Sequence, residues 1–266
     1  MKVVILCGGL GTRLREETEF RPKPMVEIGG KPIIWHIMKI YAHYGFNDFI
    51  LCLGYKGEMI KEHFYNYELR NNDFTITLGK QKQFKIHSNH DEQNWRITLA
   101  DTGENTLKGA RIKKIEKYLD CDQFMVTYGD GVADINIKEL VAFHQSHGKL
   151  ATVTGVKPAF SRFGKLKIDG EHVTQFSEKP HDEAEFVNGG FFVFNKQLLE
   201  NLNDSDNCDL EVGLLEKLVS QGELMVFKHT GFWECMDTLR DTEYLNKLWE
   251  TSQVPWKLWE LKLTNV

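Results

Sequence analysis

The order of apolar runs predicts an α/β fold, a mixed and mostly parallel sheet flanked by helices with a small β-rich subregion toward the C-terminal half. Three observations carry this. Val3, Val4, Ile5 and Leu6 form an unbroken apolar run cut off by Gly8, Gly9 and Gly11, the pattern of a strand buried on both faces that ends in a tight turn. Residues 31–69 then switch between helical and strand periodicity, which makes a β-α-β-α opening. Residues 163–194 break into several short strand-like runs with no helical pattern between them.

Taken in order, the first helix is expected over 31–44. Ile33, Ile34, Ile37, Met38 and Tyr41 recur at helical spacing, Pro32 suits a first turn, and Gly45 suits the stop. Residues 48–53 read as a strand and 56–69 as a second helix. Right-handed crossovers between parallel strands put the glycine turn at the carboxyl end of the first strand, where open α/β sheets bind ligands. Residues 74–78 and 95–99 alternate like half-exposed strands, with a polar loop or flap expected over 80–94. A helix beginning near Gly109 and Arg111 carries Ile112, Ile115 and Tyr118.

Residues 123–128 form a strand that runs into Gly129, Asp130 and Gly131. An aspartate between glycines at a strand end is sterically open to the ligand crevice; the alternative is a cap on the next helix. Asp134, ahead of Ile135 and Ile137, is better placed to be that cap. His144 and His147 stand three apart before Gly148. They read as metal ligands or, since no third ligand and no H-E-x-x-H arrangement accompany them, as a helix C-terminal turn where positive charge is favourable. A strand over 150–156 follows, then short strands over 164–168, 173–176 and 187–194. Asn188, Gly189 and Gly190 interrupt the last of these, marking a bulge or a close backbone approach to a ligand. A helix over 210–220, a strand over 224–228 and a final helix over 242–250 capped by Asp241 complete the chain. The aromatic tail over 255–259 either invites a partner subunit or packs back on its own domain.

The glycine turn is the candidate site. Glycines let backbone N–H groups approach an anion, Thr12 and Arg13 add hydroxyl and guanidinium donors, and Lys23 between Pro22 and Pro24 is a second cation on a stiffened segment. That density of donors suits a polyphosphate. Two other phosphate motifs fail here. The dinucleotide fingerprint matches Gly9 and Gly11 but meets Leu14 where its third glycine belongs, and Gly29, Gly30 and Lys31 are followed by Pro32 where a P-loop needs Ser or Thr.

The run Gly8-Gly9-Leu10-Gly11-Thr12-Arg13-Leu14 followed by Lys23-Pro24-Met25 resembles the signature of sugar-1-phosphate nucleotidyltransferases. The similarity continues through Trp35-His36-Ile37-Met38, Asp101-Thr102-Gly103, residues 127–134, residues 188–192, and residues 231–233 with 236–241, so it spans nearly the whole chain. It is strongest to the branch that moves a cytidylyl group from CTP to α-D-glucose 1-phosphate, giving CDP-glucose and pyrophosphate. The resemblance implies a Rossmann-like nucleotidyltransferase fold and one domain over 1–266, with nucleotide binding in 1–135 and sugar-phosphate binding in 150–240.

It also implies roles. Leu6, Gly8, Gly9, Gly11, Thr12 and Arg111 would meet the nucleotide, with Arg13 on the leaving pyrophosphate and Lys23 on the α-phosphate. Asp130 and Asp237 would hold Mg²⁺, a hard cation suited to carboxylates and phosphate oxygens. Thr102, Gly103 and Gly109 match positions that meet the pyrimidine or its ribose. Gly164, Glu178, Lys179, Asn188 and Gly189 would border the sugar phosphate. One departure is visible. Residues 208–215 lack the Trp and Pro associated with some members of the cytidylyl branch, although Glu211 is present to keep its role. The exact acceptor is therefore left open, as is UTP or dTTP in place of CTP. Rivals of other classes are a nicotinamide oxidoreductase, against which Leu14 counts, and a non-catalytic nucleotide-binding regulator, against which the joint presence of Arg13, Lys23, Asp130 and Asp237 counts.

Composition narrows the partners. A chain of 266 residues, 41% hydrophobic and 27% charged, has enough apolar residues for a full core. Its net charge of −5 argues against a general nucleic-acid or membrane-surface binder. Cys7, Cys52, Cys121, Cys208 and Cys235 are odd in number and widely spaced, which indicates neither a disulfide frame nor a zinc site. The first apolar run is too short for a signal peptide and no run approaches ~18–20 apolar residues, so a cytoplasmic location is expected. The family resemblance further implies a homo-oligomer, a hexamer among its forms.

Overall fold

The computed structural model describes residues 1–79, 83–87, 90–92, 94–157, 165–177, 186–203 and 205–260. The strand Lys2–Cys7 is buried at all six positions and lies between Asp48–Leu53 and Gln123–Tyr128, parallel to both. Arg96–Asp101 adds outside Asp48–Leu53, again parallel. On the other side Phe192–Asn195 runs antiparallel to Gln123–Tyr128, then Ala151–Val156 antiparallel to it, and Leu224–His229 parallel to Ala151–Val156. His172–Ser177, Lys165–Asp169 and Phe186–Asn188 finish that edge with antiparallel ladders. The sheet is thus mixed, parallel around the first strand, with short strands gathered at the far edge as expected.

The unbroken apolar run follows from burial on both faces. Val3, Ile5 and Cys7 point into a core with Ile33, Ile34, Ile37 and Tyr41 of the helix Ile33–His43. Val4 and Leu6 point the other way, into a core with Ile112, Ile115, Leu214 and Leu218. Each such fully buried aliphatic side chain contributes roughly 1.5–3 kcal/mol. No helix among the described residues is long and apolar enough to cross a membrane.

Several elements differ from the sequence reading. Within 80–94, Gln83–Ile86 is a strand that pairs with Phe74–Thr77 in a separate hairpin. Asn136 caps the helix Ile137–His147, accepting from the N–H groups of Lys138 and Glu139, while Asp134 lies 2.9 Å from His229 Nε2. The last helix is Leu239–Glu250; Thr238 is its cap and Asp241 the third residue of a capping box, not the cap itself. The region 210–220 is a kinked turn, Leu210–Leu215, followed by Glu216–Ser220, with the break at Val212 and Gly213. His144 and His147 do end a helix, but both rings hydrogen-bond to Thr152, and burial pushes both pKa values down, His147 to about 4. They are neutral bonds to the sheet, so the expected dipole stabilisation by positive charge is absent. The aromatic tail packs back on its own core: Trp256 is wholly buried against Phe232 and His36.

The site is positioned by a reversal of strand order. From Lys2–Cys7 the chain proceeds to its neighbour on one side, Asp48–Leu53, while the neighbour on the other side is the much later Gln123–Tyr128. The loops leaving the paired ends Leu6 and Tyr128 therefore part and open a crevice. The Gly129 N–H donates to the Leu6 carbonyl at 3.1 Å and holds the two loop origins side by side.

Candidate active site

A cavity of about 350 Å³ opens at this crevice. One wall is the glycine turn. Gly11 is left-handed at φ 63°, and a Cβ there would press on Thr18. Gly9 is different: a Cβ on it would meet nothing within 4 Å, so its side faces the opening. Arg13 follows in a single 3₁₀ turn, two-thirds exposed, with Nη1 2.8 Å from Asp237 Oδ2.

Lys23 sits in a second 3₁₀ turn, Lys23–Met25, between an extended Pro22 and Pro24. Its Nζ is 2.5 Å from both Asp130 Oδ2 and Asp237 Oδ1. Burial works against the ammonium, but Asp130 first, then Cys235 and Asp237, outweigh it and hold its pKa above the ordinary lysine value. Asp130 and Asp237 meet because the strand Trp233–Cys235 pairs with Gly131–Ala133, placing Cys235 opposite Gly131. The Met236 N–H then donates to the Asp130 carbonyl at 2.9 Å. Asp237 is fixed in turn by its own N–H, which donates to Asp241 Oδ2 at 3.0 Å.

Arg111 braces the back wall. Its Nη1 donates to the carbonyls of Leu53 and Gly103 and to Thr102 Oγ1, and its Nη2 to the carbonyls of Gly8 and Glu104. The guanidinium thus ties three loops together, and a Cβ on Gly8 would collide with it. The Thr102 hydroxyl donates to the Leu53 carbonyl at 2.7 Å. Gly109 lets the helix Lys108–Lys114 approach the chain at 208–209; a Cβ there would lie 2.7 Å from the Asp209 carbonyl oxygen.

Tyr128, Asn188, Lys108 and Glu211 also line the cavity. Asn188 Nδ2 donates to the Tyr128 hydroxyl at 2.9 Å, and Tyr128 donates to Glu211 Oε1 at 2.7 Å. Lys108 Nζ also donates to Glu211 Oε1. Burial pushes the Glu211 pKa up, opposed by Lys108 and Tyr128.

Of the residues singled out from sequence, Leu6, Gly8, Gly9, Gly11, Thr12, Arg13, Lys23, Arg111, Asp130, Asn188 and Asp237 line this one cavity. Thr102, Gly103, Gly109 and Gly189 stand behind its wall; the Gly189 carbonyl accepts from Trp233 Nε1 at 2.9 Å. Gly164, Glu178 and Lys179 lie outside the described residues. The sequence reading missed Lys108 and Cys235, which also line the cavity. Neither carries a motif; only the pairing of distant segments brings them in.

Ligand atoms of Asp130, Cys235 and Asp237 lie within 4.8 Å of one another. The two carboxylates are hard donors, and the cation they now share is the Lys23 ammonium. Burial raises the Cys235 pKa well above the usual thiol value, with Asp130 adding to it, so a neutral thiol lies beside the carboxylates. The donor set therefore fits a hard divalent cation whose remaining ligands are water or phosphate oxygens.

Comparison with known proteins shows what the chain is similar to. The family model described as nucleotidyl transferase matches residues 2–251. The chain is 51% identical over 261 residues to the glucose-1-phosphate cytidylyltransferase of Salmonella typhi, covering 98% of this chain and 100% of that protein. It is 44% identical over 259 residues to the probable glucose-1-phosphate cytidylyltransferase of Bacillus subtilis, covering 97% and 100%. In structure it is similar to HddC from Yersinia pseudotuberculosis complexed with GMP-PN, with a TM-score of 0.72 at 25% identity over 93% of this chain and 99% of that one.

Proposed function

The chain belongs to the nucleotidyl transferase family, and from that premise we propose that it transfers a cytidylyl group from CTP to α-D-glucose 1-phosphate, giving CDP-glucose and pyrophosphate. The near full-length likeness to two cytidylyltransferases supports these substrates. The observation that carries the chemistry is Lys23, held between Asp130 and Asp237 beside a glycine turn that opens on the cavity.

A phosphate oxygen of the sugar phosphate attacks the α-phosphorus of CTP. The bond from that phosphorus to the oxygen bridging it to the β-phosphate breaks in line, and the electron pair leaves with pyrophosphate. The attacking oxygen is already anionic, so no general base is required. The obstacle is the meeting of two anions, and the residues present answer it with fixed positive charge. The backbone N–H groups of turn 8–11 cradle the nucleotide phosphates, and Gly9 keeps its side open for them. Leu6 and Thr12 flank the same phosphates. Arg13 holds the departing pyrophosphate and Lys23 neutralises the α-phosphate.

Members of the family generally use a divalent metal. We assign Mg²⁺, held by Asp130 and Asp237, to supply charge neutralisation of the triphosphate. Thr102, Gly103 and Gly109 are assigned to the pyrimidine and ribose, with Arg111 fixing their loop. Asn188 and Gly189, with Gly164, Glu178 and Lys179, are assigned to the sugar phosphate. We further propose a single domain over 1–266, with nucleotide and sugar-phosphate parts at 1–135 and 150–240, acting as a cytoplasmic homo-oligomer. The exposed apolar face of the paired strands Phe74–Thr77 and Gln83–Ile86 supports the last point.

The test is pyrophosphate release with Mg²⁺ and glucose 1-phosphate, comparing CTP, UTP, dTTP, GTP and ATP. Release with CTP is expected. Release chiefly with UTP or dTTP would keep the mechanism and overturn the base assignment; no release with any would overturn the acceptor.

A further inference from the structure

The three buried thiols differ in what they meet. Cys7 points its Sγ at the Ile5 carbonyl and Cys52 at the Arg111 carbonyl. Cys235 is only 8% exposed, yet its Sγ makes no hydrogen bond among the described residues. It lines the cavity. Its Sγ and the carboxylate oxygens of Asp130 and Asp237 lie within 4.8 Å of one another. A thiol used only for packing behaves as a small apolar group and belongs away from charge. This one stands beside two carboxylates.

The backbone fixes all three donors. Cys235 lies opposite Gly131 in the two-strand ladder. The Met236 N–H donates to the Asp130 carbonyl at 2.9 Å, and the Asp237 N–H donates to the Cys235 carbonyl at 3.0 Å. Three atoms no more than 4.8 Å apart share a point at most about 2.8 Å from each, and Zn–S and Zn–O bonds are ~2.3 and ~2.0–2.2 Å long, so shifts under ~1 Å close the set around a cation.

Charge separates two kinds of cation. The carboxylates are already matched by Lys23 and Arg13. A hard divalent cation takes the carboxylate oxygens, leaves the thiol protonated and adds its full charge to a balanced group. A thiophilic cation also takes the sulfur. The S–H bond breaks, the proton passes to solvent and the sulfur electron pair forms the bond to the metal, so the group gains one unit of charge fewer.

We propose that Asp130, Cys235 and Asp237 form a binding site for a thiophilic divalent cation of the Zn²⁺ and Cd²⁺ class, with the Cys235 sulfur as third ligand, and that this cation competes with the hard one. The proposal rests on the reading above that the two carboxylates hold Mg²⁺.

The experiment titrates the intact, nucleotide-free protein with Cd²⁺ and, separately, with Mg²⁺. It follows Tm and the ultraviolet sulfur-to-cadmium charge-transfer band in wild type, Cys235→Ser, Cys235→Ala and Asp237→Asn. The half-buried Cys121 and Cys208 are common to all four proteins, so the difference from wild type reads Cys235. Both Cys235 variants lose the band of the tightest Cd²⁺ and bind that ion at least about 100-fold more weakly, since even an outer-sphere partner of a metal is worth about 10- to 100-fold. Their rise in Tm with Mg²⁺ stays within about 2-fold of wild type, because a hard cation does not use the sulfur. Asp237→Asn keeps the thiol and still weakens Cd²⁺ by at least about 10-fold. Added Mg²⁺ moves the wild-type Cd²⁺ midpoint upward. The proposal is overturned if the Cys235 variants keep the band, if they lose the Cd²⁺ and Mg²⁺ responses together, if Asp237→Asn binds Cd²⁺ as wild type does, or if the two cations bind without competing. Should one Cys235 variant fail to fold, the other decides by the same criterion. A wild type stabilised by Cd²⁺ but not by Mg²⁺ overturns the Mg²⁺ reading, and the reverse overturns the thiophilic site alone, which separates the two failures.

Discussion

Lys23 Nζ stands 2.5 Å from Asp237 Oδ1, across 214 residues of chain, and the same ammonium bridges to Asp130. The two carboxylates are thereby held together by a cation that belongs to the protein. Lys23→Met leaves them facing each other with only Arg13, on Asp237, to offset their charge. We expect the metal-free variant to lose roughly 3–5 kcal/mol of stability, since removing one partner strands buried charge. Added Mg²⁺ should restore much of it, so the rise in Tm with Mg²⁺ is larger in the variant than in wild type. Turnover falls about 100- to 1,000-fold and stays low with metal. Equal Tm responses in the two proteins would show that the carboxylates do not share a cation site.

Asp130→Asn and Asp237→Asn preserve shape and remove charge. Each should abolish Mg²⁺-dependent pyrophosphate release while the far-UV spectrum stays native. Asp237→Asn should be the less stable, because its side chain is 3% exposed and also meets Arg13, whereas that of Asp130 is 22% exposed. Near-normal turnover in both variants would remove the metal assignment.

Arg111 acts from behind the wall, so its loss reads as loss of shape. Arg111→Lys cannot reach the carbonyls of Gly8, Leu53, Gly103 and Glu104 with one ammonium. A stability loss of about 2–4 kcal/mol is expected from the buried carbonyls left unpaired, with nucleotide affinity falling in parallel. Gly8→Ala should do the same from the other side, by pushing the guanidinium away. Calorimetry of CTP binding alongside Tm checks both; weakened binding at unchanged Tm would put Arg111 on the ligand instead.

Phe74, Ile76, Phe84 and Ile86 sit on one face of their hairpin and are 39–49% exposed. A two-stranded hairpin is marginal alone, and an apolar face of this kind suits association. Phe84→Lys should shift the protein to a smaller species in light scattering with its Tm transition still cooperative. An unchanged mass would place the contacts between copies elsewhere.

What the sequence revealed depended on whether the signal was local. The strand Lys2–Cys7 was legible because burial on both faces leaves an unbroken apolar run, and the glycine turn followed from it. The strand Gln83–Ile86 was hidden because Gln83 and Lys85 make it look like loop; only its cross-strand partners show it. Asn136 is the cap because the helix begins at Ile137, which leaves Asp134 two residues upstream of the capping position, a boundary that no local pattern fixes. The same limit applies in the site. Residues 8–13 form a motif, but Lys108 meets Glu211 only because Gly109 lets a helix lean on residues 208–209, and the chain spacing says nothing of that.

His36 gives the last prediction, a pH dependence with a defined sign. It is fully buried; its Nε2–H donates to the Ile28 carbonyl at 2.9 Å, and its Nδ1 accepts from Trp256 Nε1 at 3.3 Å. One neutral tautomer satisfies both bonds, and a second proton would break the one to Trp256. Burial pushes its pKa down to about 4; the bonds to Ile28 and Lys31 oppose this and the charges of Lys257 and Lys31 add to it. The unfolded chain takes up the proton near pH ~6.5, the folded one only near 4. Between those values the unfolded state binds more protons, so stability falls as the pH falls, by about 3 kcal/mol at ~1.4 kcal/mol per pH unit. His63 and His147 are also pushed down to about 4 and add to the same slope, so the contribution of His36 must be read by difference. The stability gap between wild type and His36→Gln should narrow by about 3 kcal/mol from pH 7 to pH 4, with tryptophan fluorescence reporting the tail at Trp256 loosening in wild type. Parallel stability curves would mean that the ring is already protonated in the folded protein and that the tail is held by packing alone.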